Sequence, residues 1–280
     1  MVRIPASRLE YFMAEDVPYL DLTSEVLGIG DEPGRMEYFT REDCVLCGTE
    51  VVERMAHELV LSVDSATKTG SQVRAGESFL DVSGTAGALH QLWKAGLNVF
   101  DHLSAVATKT RGMVDAVHAE NPACEVLTTR KSMPGVKDLL TMAIRAGGAY
   151  PHRLGLSETV LVFDHHLEFM GGFDAFLEQL SDIRRRCVEK KLFVECDPDQ
   201  ALRLAQAGVD GVQMDKVPAG ELRALVPRLR SIDPHLTIIA AGGINPGNAA
   251  EYAATGIDGI ATTSLFTAKP LDMSVRMVRA

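Results

Sequence analysis

Long apolar runs are missing from this 280-residue chain. No stretch reaches the ~18 apolar residues that a membrane helix needs, and the opening Met-Val-Arg-Ile-Pro-Ala-Ser-Arg lacks the apolar core of a secretory signal. The expectation is a cytoplasmic protein with no membrane partner. Basic tracts are also scarce: 28 Lys+Arg stand against 38 Asp+Glu, a formal charge of -10, which disfavours nucleic acid as the main partner. Cysteine is sparse and odd in number, at five, so reduced thiols fit better than a disulfide framework. Cys44-Val-Leu-Cys47 offers only two of the four ligands of a structural zinc, and Cys124, Cys187 and Cys196 are scattered. That segment reads alternatively as a short buried strand ending at Gly48.

Hydrophobic content of 46% is enough for a large core, or for one core plus a satellite domain. Over roughly the first 85 residues, Arg35 to Thr40 alternates, Glu50 to Leu61 has helical spacing, and Gln72 to Val82 holds strand-like runs between glycines. From Thr85 to Ala119, apolar residues recur every three or four positions and predict one long helix, with Gly96 as a candidate kink. After Pro122, short apolar runs alternate with helical stretches, the pattern of βαβ units and a parallel sheet. Strands are predicted over Glu125 to Thr129, Thr159 to Phe163, Leu192 to Cys196, Gly211 to Met214, Thr237 to Ala241 and Gly259 to Thr262. Helices are predicted over Val136 to Ala146, Asp174 to Glu189, Asp197 to Ala207, Ala219 to Leu229 and Pro246 to Thr255, with Gly208 and Gly256 as stops. The fold class is therefore α/β, an N-terminal sandwich followed by a barrel or partial barrel.

Chemistry in such barrels sits at the C-terminal ends of strands. In this acidic chain the neighbouring cations Arg130, Lys131 and Arg153, with His152, stand out on glycine-flanked loops. An Arg fork beside a compact Lys charge suits a carboxylate or phosphate ligand. Glu195 and Asp215 lie one βα repeat apart and can share a cavity, where two carboxylates suit ribose hydroxyls and magnesium; alternatively they pair with a core cation and cap a helix. Gly242-Gly243 follows a late strand and precedes a predicted helix, a common phosphate locus, and the loop through Ser264 adjoins it. Arg111 shares the polar side of the long helix with Thr108 and Asp115.

Taken in order, Arg130-Lys131, His152-Arg153-Leu-Gly-Leu-Ser, Glu195, Asp215 and Ala-Gly-Gly-Ile-Asn resemble the quinolinate phosphoribosyltransferase family, the type II enzymes. The likeness runs from Glu15-Asp16 and Asp21-Leu-Thr-Ser to Pro270-Leu-Asp-Met-Ser. It implies an N-terminal α/β sandwich over residues 1–103, rejoined by a tail over 265–280, and an open α/β barrel over 104–264. It also implies a homodimer whose active sites are shared across subunits. By motif position, Arg111 would reach the partner's site, Arg130, His152 and Arg153 would hold substrate carboxylates, and Lys131 would contact phosphoribosyl pyrophosphate. Glu195 and Asp215 would serve its ribose and Mg²⁺, while Gly242 and Gly243 would bind phosphate. The implied reaction joins a pyridine-like nitrogen to ribose C1 with loss of pyrophosphate.

Departures from the family pattern bear on the substrate. Phe163 stands where the family has a lysine, Ala241 replaces a serine, Pro151 an asparagine, and Thr263 the glycine of the last phosphate loop beside Ser264. These changes resemble the ModD branch, encoded alongside molybdate transport genes. They favour an acceptor that need not be quinolinate. The rival readings are a true quinolinate enzyme with a rebuilt pocket, a non-catalytic barrel that senses an anionic metabolite, and a Schiff-base aldolase using Lys131.

Overall fold

The computed structural model describes residues 2–280, which cluster into two compact units. One comprises 2–111, 132–148 and 266–280; the other comprises 112–131 and 149–265. The helix Ala86–Glu120 runs from the first into the second. The helix Lys137–Ala146, which periodicity places between barrel strands, groups with the first unit.

In the first unit the strands are β1 (Pro33–Thr40), β2 (Cys44–Val45), β3 (Ser62–Ala66), β4 (Gln72–Val73) and β5 (Ser78–Thr85). The C-terminal strand Met273–Arg279 pairs antiparallel with β1, β1 with β5, and β5 with β3, making a four-stranded sheet. Alternation along β1 buries Met36, Tyr38 and Thr40 while Arg35 and Glu37 face outward, the period of two expected of a half-buried strand. On the buried face Tyr38, Phe79 and Phe100 form an edge-packed aromatic cluster, with Phe79 and Phe100 centroids 4.8 Å apart. Two short helices near the amino terminus, Ala6–Asp16 and Leu22–Leu27, have no counterpart in the sequence reading. The first shows only Leu9 buried, so it carries a weak apolar stripe.

The cysteine pair sits in this core. Cys44 opens β2, which pairs with β4, and the Cys47 amide donates to Ser104 Oγ at 3.0 Å. Burial raises both thiols above their ordinary range. Thr108 likewise faces inward rather than sharing a solvated stripe with Arg111: its hydroxyl accepts the Val45 N–H at 2.9 Å.

The long helix passes through Gly96 without interruption. Its glycine answers a packing demand instead of a kink. A Cβ there would lie 2.5 Å from Tyr38 Oη and 3.2 Å from Val52, and that hydroxyl donates to the Leu92 carbonyl at 3.0 Å.

The second unit is built on β6 (Glu125–Thr128), β7 (Tyr150–Pro151), β8 (Val160–Val162), β9 (Leu192–Cys196), β10 (Gly211–Asp215), β11 (Thr237–Ala241) and β12 (Gly259–Thr262). They form a wholly parallel sheet in the order β7-β6-β12-β11-β10-β9-β8, left open between β7 and β8: a partial barrel. The helix Pro198–Ala207 illustrates local encoding. Asp197 caps it by accepting the Gln200 N–H at 2.8 Å, proline fills its first turn, and Gly208 ends it at φ 79°. The helix expected from Pro246 begins only at Ala249 and spans five residues, because Asn245 and Asn248 instead build a turn in which Asn248 Oδ1 accepts the Asn245 N–H.

Replacing Gly96 by Ala should overpack this contact and cost about 1–3 kcal/mol, offset in part by the better helix propensity of Ala. Tyr38→Phe should cost about 1 kcal/mol on its own. Denaturant unfolding of the double mutant should then show a loss smaller than the sum, because the clashing hydroxyl is gone. Strict additivity would mean that Gly96 is not there for Tyr38.

Candidate active site

The C-terminal ends of the barrel strands enclose a cavity of about 610 Å³ that lies wholly within the second unit. Each strand delivers its share. Thr129, Arg130 and Lys131 follow β6, His152 and Arg153 follow β7, and Phe163 follows β8. Glu195 comes from β9, and Gln213, Asp215 and Lys216 from the end of β10. The β11 end contributes Ala241, Gly242 and Gly243, and the β12 end Thr263 and Ser264. Among the sequence-predicted residues, Arg111 alone is not in this lining; it lies on the long helix, in the first unit.

The floor is apolar. Leu161, Phe193, Ile239, Ala241 and Ala261 form a buried cluster with Leu127 and Phe163 packed on it. Above it the parallel register sets Glu195 directly opposite Gln213, and Gln213 Nε2 donates to Glu195 Oε2 at 2.6 Å. Asp215 lies two residues beyond Gln213 and therefore on the same face. Burial raises the Glu195 carboxyl above its ordinary range; the Gln213 bond opposes this, Asp215 and Asp164 add to it, and Lys131 opposes it. The two carboxylates thus feel one another.

Arg153, after β7, is buried at 9% exposure, with its guanidinium carbon 5.8 Å from the Phe163 ring centroid. Among the described residues no carboxylate lies within ion-pair distance of it. Burial, then Arg130, push its pKa down, and a guanidinium remains charged nonetheless. A buried cation without an anion is costly, so this wall is shaped for an anionic ligand group. Burial, then Arg153, lower His152, so its imidazole is neutral at neutral pH. Its Nε2 is buried without a partner. Phe163 is itself held in place: its N–H donates to His166 Nδ1 at 2.9 Å and the two rings stack at 5.8 Å.

The loops are tied by hydroxyls. Thr129 and Thr263 share a 2.7 Å hydrogen bond, Thr262 donates to the Ile244 carbonyl at 2.6 Å, and Thr262 and Ser264 hydroxyls lie 2.8 Å apart. Gly242 (φ 86°) and Gly243 (φ 73°) turn left-handed, and nothing lies within 4 Å of a Cβ added at Gly243. At Gly242 a Cβ would meet Asp215 Oδ1 at 2.6 Å, so this glycine also leaves room for the carboxylate. Gln213, Thr129 and Lys216 were not singled out from sequence. The available signal for Gln213 was its spacing: in Gly-Val-Gln-Met-Asp it shares a strand face with Asp215.

Among the described residues no group of three or more His, Cys, Asp or Glu side chains could hold a metal ion. A cation here would have two carboxylates from the chain, Glu195 and Asp215, and would need its remaining oxygens from substrate and water. That is the donor set Mg²⁺ commonly takes beside phosphates.

A raised Glu195 pKa makes a pH-dependent stability difference. Its protonated form is favoured by the fold, so this contribution is complete below the ordinary value of 4.5 and is lost as pH rises through the raised value. Glu195→Gln should match the parent below about pH 4 and become progressively more stable than it toward neutrality, as read by Tm across pH. A difference that does not change with pH would show an unperturbed carboxyl.

The description "Quinolinate phosphoribosyl transferase, C-terminal domain" matches residues 106–276, and its N-terminal counterpart matches residues 21–104. A putative pyrophosphorylase ModD of Rhodobacter capsulatus is 37% identical over 257 residues, covering 91% of this chain and 98% of that one. A probable carboxylating nicotinate-nucleotide pyrophosphorylase of Methanothermobacter thermautotrophicus is 30% identical over 266 residues, covering 94% and 95%. The solved nicotinate-nucleotide pyrophosphorylase of Francisella tularensis shares the fold with a TM-score of 0.89 at 22% identity, covering 99% and 98%. On these matches, which together account for nearly its whole length, the chain belongs to the quinolinate phosphoribosyltransferase family and is a pentosyltransferase.

Proposed function

We propose that the cup holds phosphoribosyl pyrophosphate beside an aromatic nitrogen acceptor, joins that nitrogen to ribose C1, and releases pyrophosphate. The observation that carries this reading is one cavity lined by Arg130, Lys131 and Arg153 together with Glu195 and Asp215 over an apolar floor. Such a cup suits a reaction whose sugar becomes cationic while its leaving group is anionic. Glu195 and Asp215 bind the ribose side and lend negative potential to the developing cation, and Lys131 together with the Gly242, Gly243, Thr263 and Ser264 loops receives phosphate oxygens. Arg153, with Arg130 and a neutral His152, orients the acceptor's acid group. Glu195 and Asp215 would hold Mg²⁺, which would supply charge neutralisation for a pyrophosphate leaving group. Because the protein cations are already placed, little reorganisation is needed at the moment of transfer.

The acceptor we favour is not quinolinate. Phe163 presents a ring, fixed by His166, at the position where the family resemblance expects an ammonium. One of two acceptor carboxylates would then lie against an apolar surface without a partner. The second reading, a carboxylating enzyme that turns quinolinate into nicotinate mononucleotide, draws on the two arginines and on the Methanothermobacter relative's name.

Pyrophosphate release from phosphoribosyl pyrophosphate should be seen with some member of a panel of aromatic nitrogen acceptors, and chelation with EDTA should abolish it. Quinolinate kcat/KM of ~10⁴ M⁻¹s⁻¹ or above would decide for the second reading. Failure of every acceptor in the panel to elicit pyrophosphate release would remove the support for a transferase of this kind.

The family resemblance also gives Arg111 a role in the site of a second subunit. Arg111→Ala and Lys131→Ala should each lose about 10²-fold or more in kcat/KM. Mixed after verified subunit exchange, the two proteins should regain part of the activity through hybrid sites. No recovery would rule out shared sites.

A further inference from the structure

Among the described residues only Val60 (φ 60°) and Lys216 (φ 58°) adopt the left-handed backbone without being glycine. Val60 follows the end of the helix Thr49–Glu58, where a left-handed residue is a routine way to stop. Lys216 has no such excuse. It comes straight off the end of β10, where its N–H still donates to the Ala241 carbonyl at 2.8 Å as a last rung of the sheet.

The turn has a definite consequence. In an extended strand Lys216 would point away from the face used by Asp215, since neighbours alternate. Left-handed backbone brings it round, so that Lys216 lines the same cavity and its Nζ lies 3.4 Å from Asp215 Oδ2. Gly242 makes room for the manoeuvre. A Cβ at 242 would sit 2.6 Å from Lys216 Cγ and 2.7 Å from its amide nitrogen.

The ion pair does not repay the backbone strain. The Lys216 side chain is 80% exposed and that of Asp215 36%, and exposed pairs of this kind contribute little. Strain that local contacts leave uncompensated is a pointer to function. We infer that Lys216 is a further phosphate-binding residue, whose ammonium exchanges Asp215 for diphosphate oxygens of the co-substrate at the mouth of the cup. The inference rests on the phosphoribosyl pyrophosphate reading above and adds to it a cation from the β10 end that serves alongside Lys131 from the β6 end. A flexible ammonium suits this exchange because it can swing between a carboxylate and a phosphate while the strained turn keeps its stem over the cavity.

Three variants separate charge from strain, with inorganic pyrophosphate and phosphoribosyl pyrophosphate as calorimetric probes at fixed Mg²⁺ and salt. Lys216→Met removes the charge and keeps the strained backbone. Lys216→Gly removes both. Lys216→Arg keeps the charge. Met and Gly should weaken both probes by roughly 10-fold to 100-fold, the scale of one charge-assisted hydrogen bond. Arg should stay within about threefold of the parent, and Gly alone should raise Tm. In Mg²⁺ titrations at saturating acceptor, Met should raise KM for phosphoribosyl pyrophosphate more than it lowers kcat. Parental affinity in the Met and Gly proteins would overturn the assignment, as would a Gly protein that loses both Tm and binding, since Lys216 would then be structural. If the parent itself binds neither probe, the reading of the whole cup fails, and Lys216 with it.

Discussion

The parallel pairing of β9, β10 and β11 is the constraint on which the site depends. It sets Glu195 against Gln213 and Asp215 against Ala241, so that acid, amide, acid and glycine turn arrive at one end of one sheet. A slip of one residue in either pairing would send Glu195 or Asp215 to the helix-covered face. The register is protected because the opposite face of these strands is wholly apolar: Val194, Val212, Met214, Ile238 and Ala240 are all fully buried on rungs between the polar positions. Gly211 tightens the same junction, since a Cβ there would lie 2.2 Å from the Phe193 ring.

On this frame the cup separates charge by strand. Carboxylates come from β9 and β10, while Arg130, Lys131 and Arg153 come from the loops after β6 and β7, with β12 and β11 between the two sets in the sheet; Lys216 is the one cation on the carboxylate side. Burial acts on both sets in opposite senses. It disfavours the charged form of Glu195 and of Arg153 alike, and each is therefore primed to gain from a ligand bearing the opposite charge. Neither is neutralised by a direct partner: Glu195 has the Gln213 amide, and Arg153 has the face of Phe163. These are weak substitutes for a counter-ion, strong enough to fix orientation and too weak to compete with a phosphate or carboxylate.

Much of this arrangement was legible in the residue order. The six longer barrel strands are readable because β-branched and apolar runs of four or five residues recur between helical stretches, and strand-end position then nominates Arg130, Glu195, Asp215 and Gly242 without any knowledge of distance. Other features escape a one-dimensional reading for physical reasons. The two-residue strand at Tyr150–Pro151 owes its existence to its neighbour Thr128, whose carbonyl accepts the His152 N–H at 2.9 Å, and no local pattern marks it. Gly96 looks like a helix breaker by propensity, while its cause, the Tyr38 hydroxyl, is 58 positions away in sequence. Lys216 carries no signal at all, since a lysine after an aspartate is ordinary until the sign of its φ is known.

Phe163 shows how far a single side chain can shift the chemistry of a cavity whose remaining walls stay polar. An aromatic ring could have rotated aside and admitted water to serve a second carboxylate. Here that escape is restrained from three directions: the His166 ring stacks on one side, the Arg153 guanidinium approaches within 5.8 Å, and the backbone N–H is tied to His166 Nδ1. The ring also packs on the buried cluster of Leu161 and Phe193, so moving it would uncover apolar floor. Arg153 in turn keeps its orientation partly because Phe163 is there. The acceptor wall is therefore a coupled unit of one cation, one ring and one imidazole. Introducing a lysine at position 163 alone would add another cation beside a buried arginine that already has Arg130 nearby and lacks an anion, so a change of substrate preference requires His166 and the Arg153 loop to readjust together.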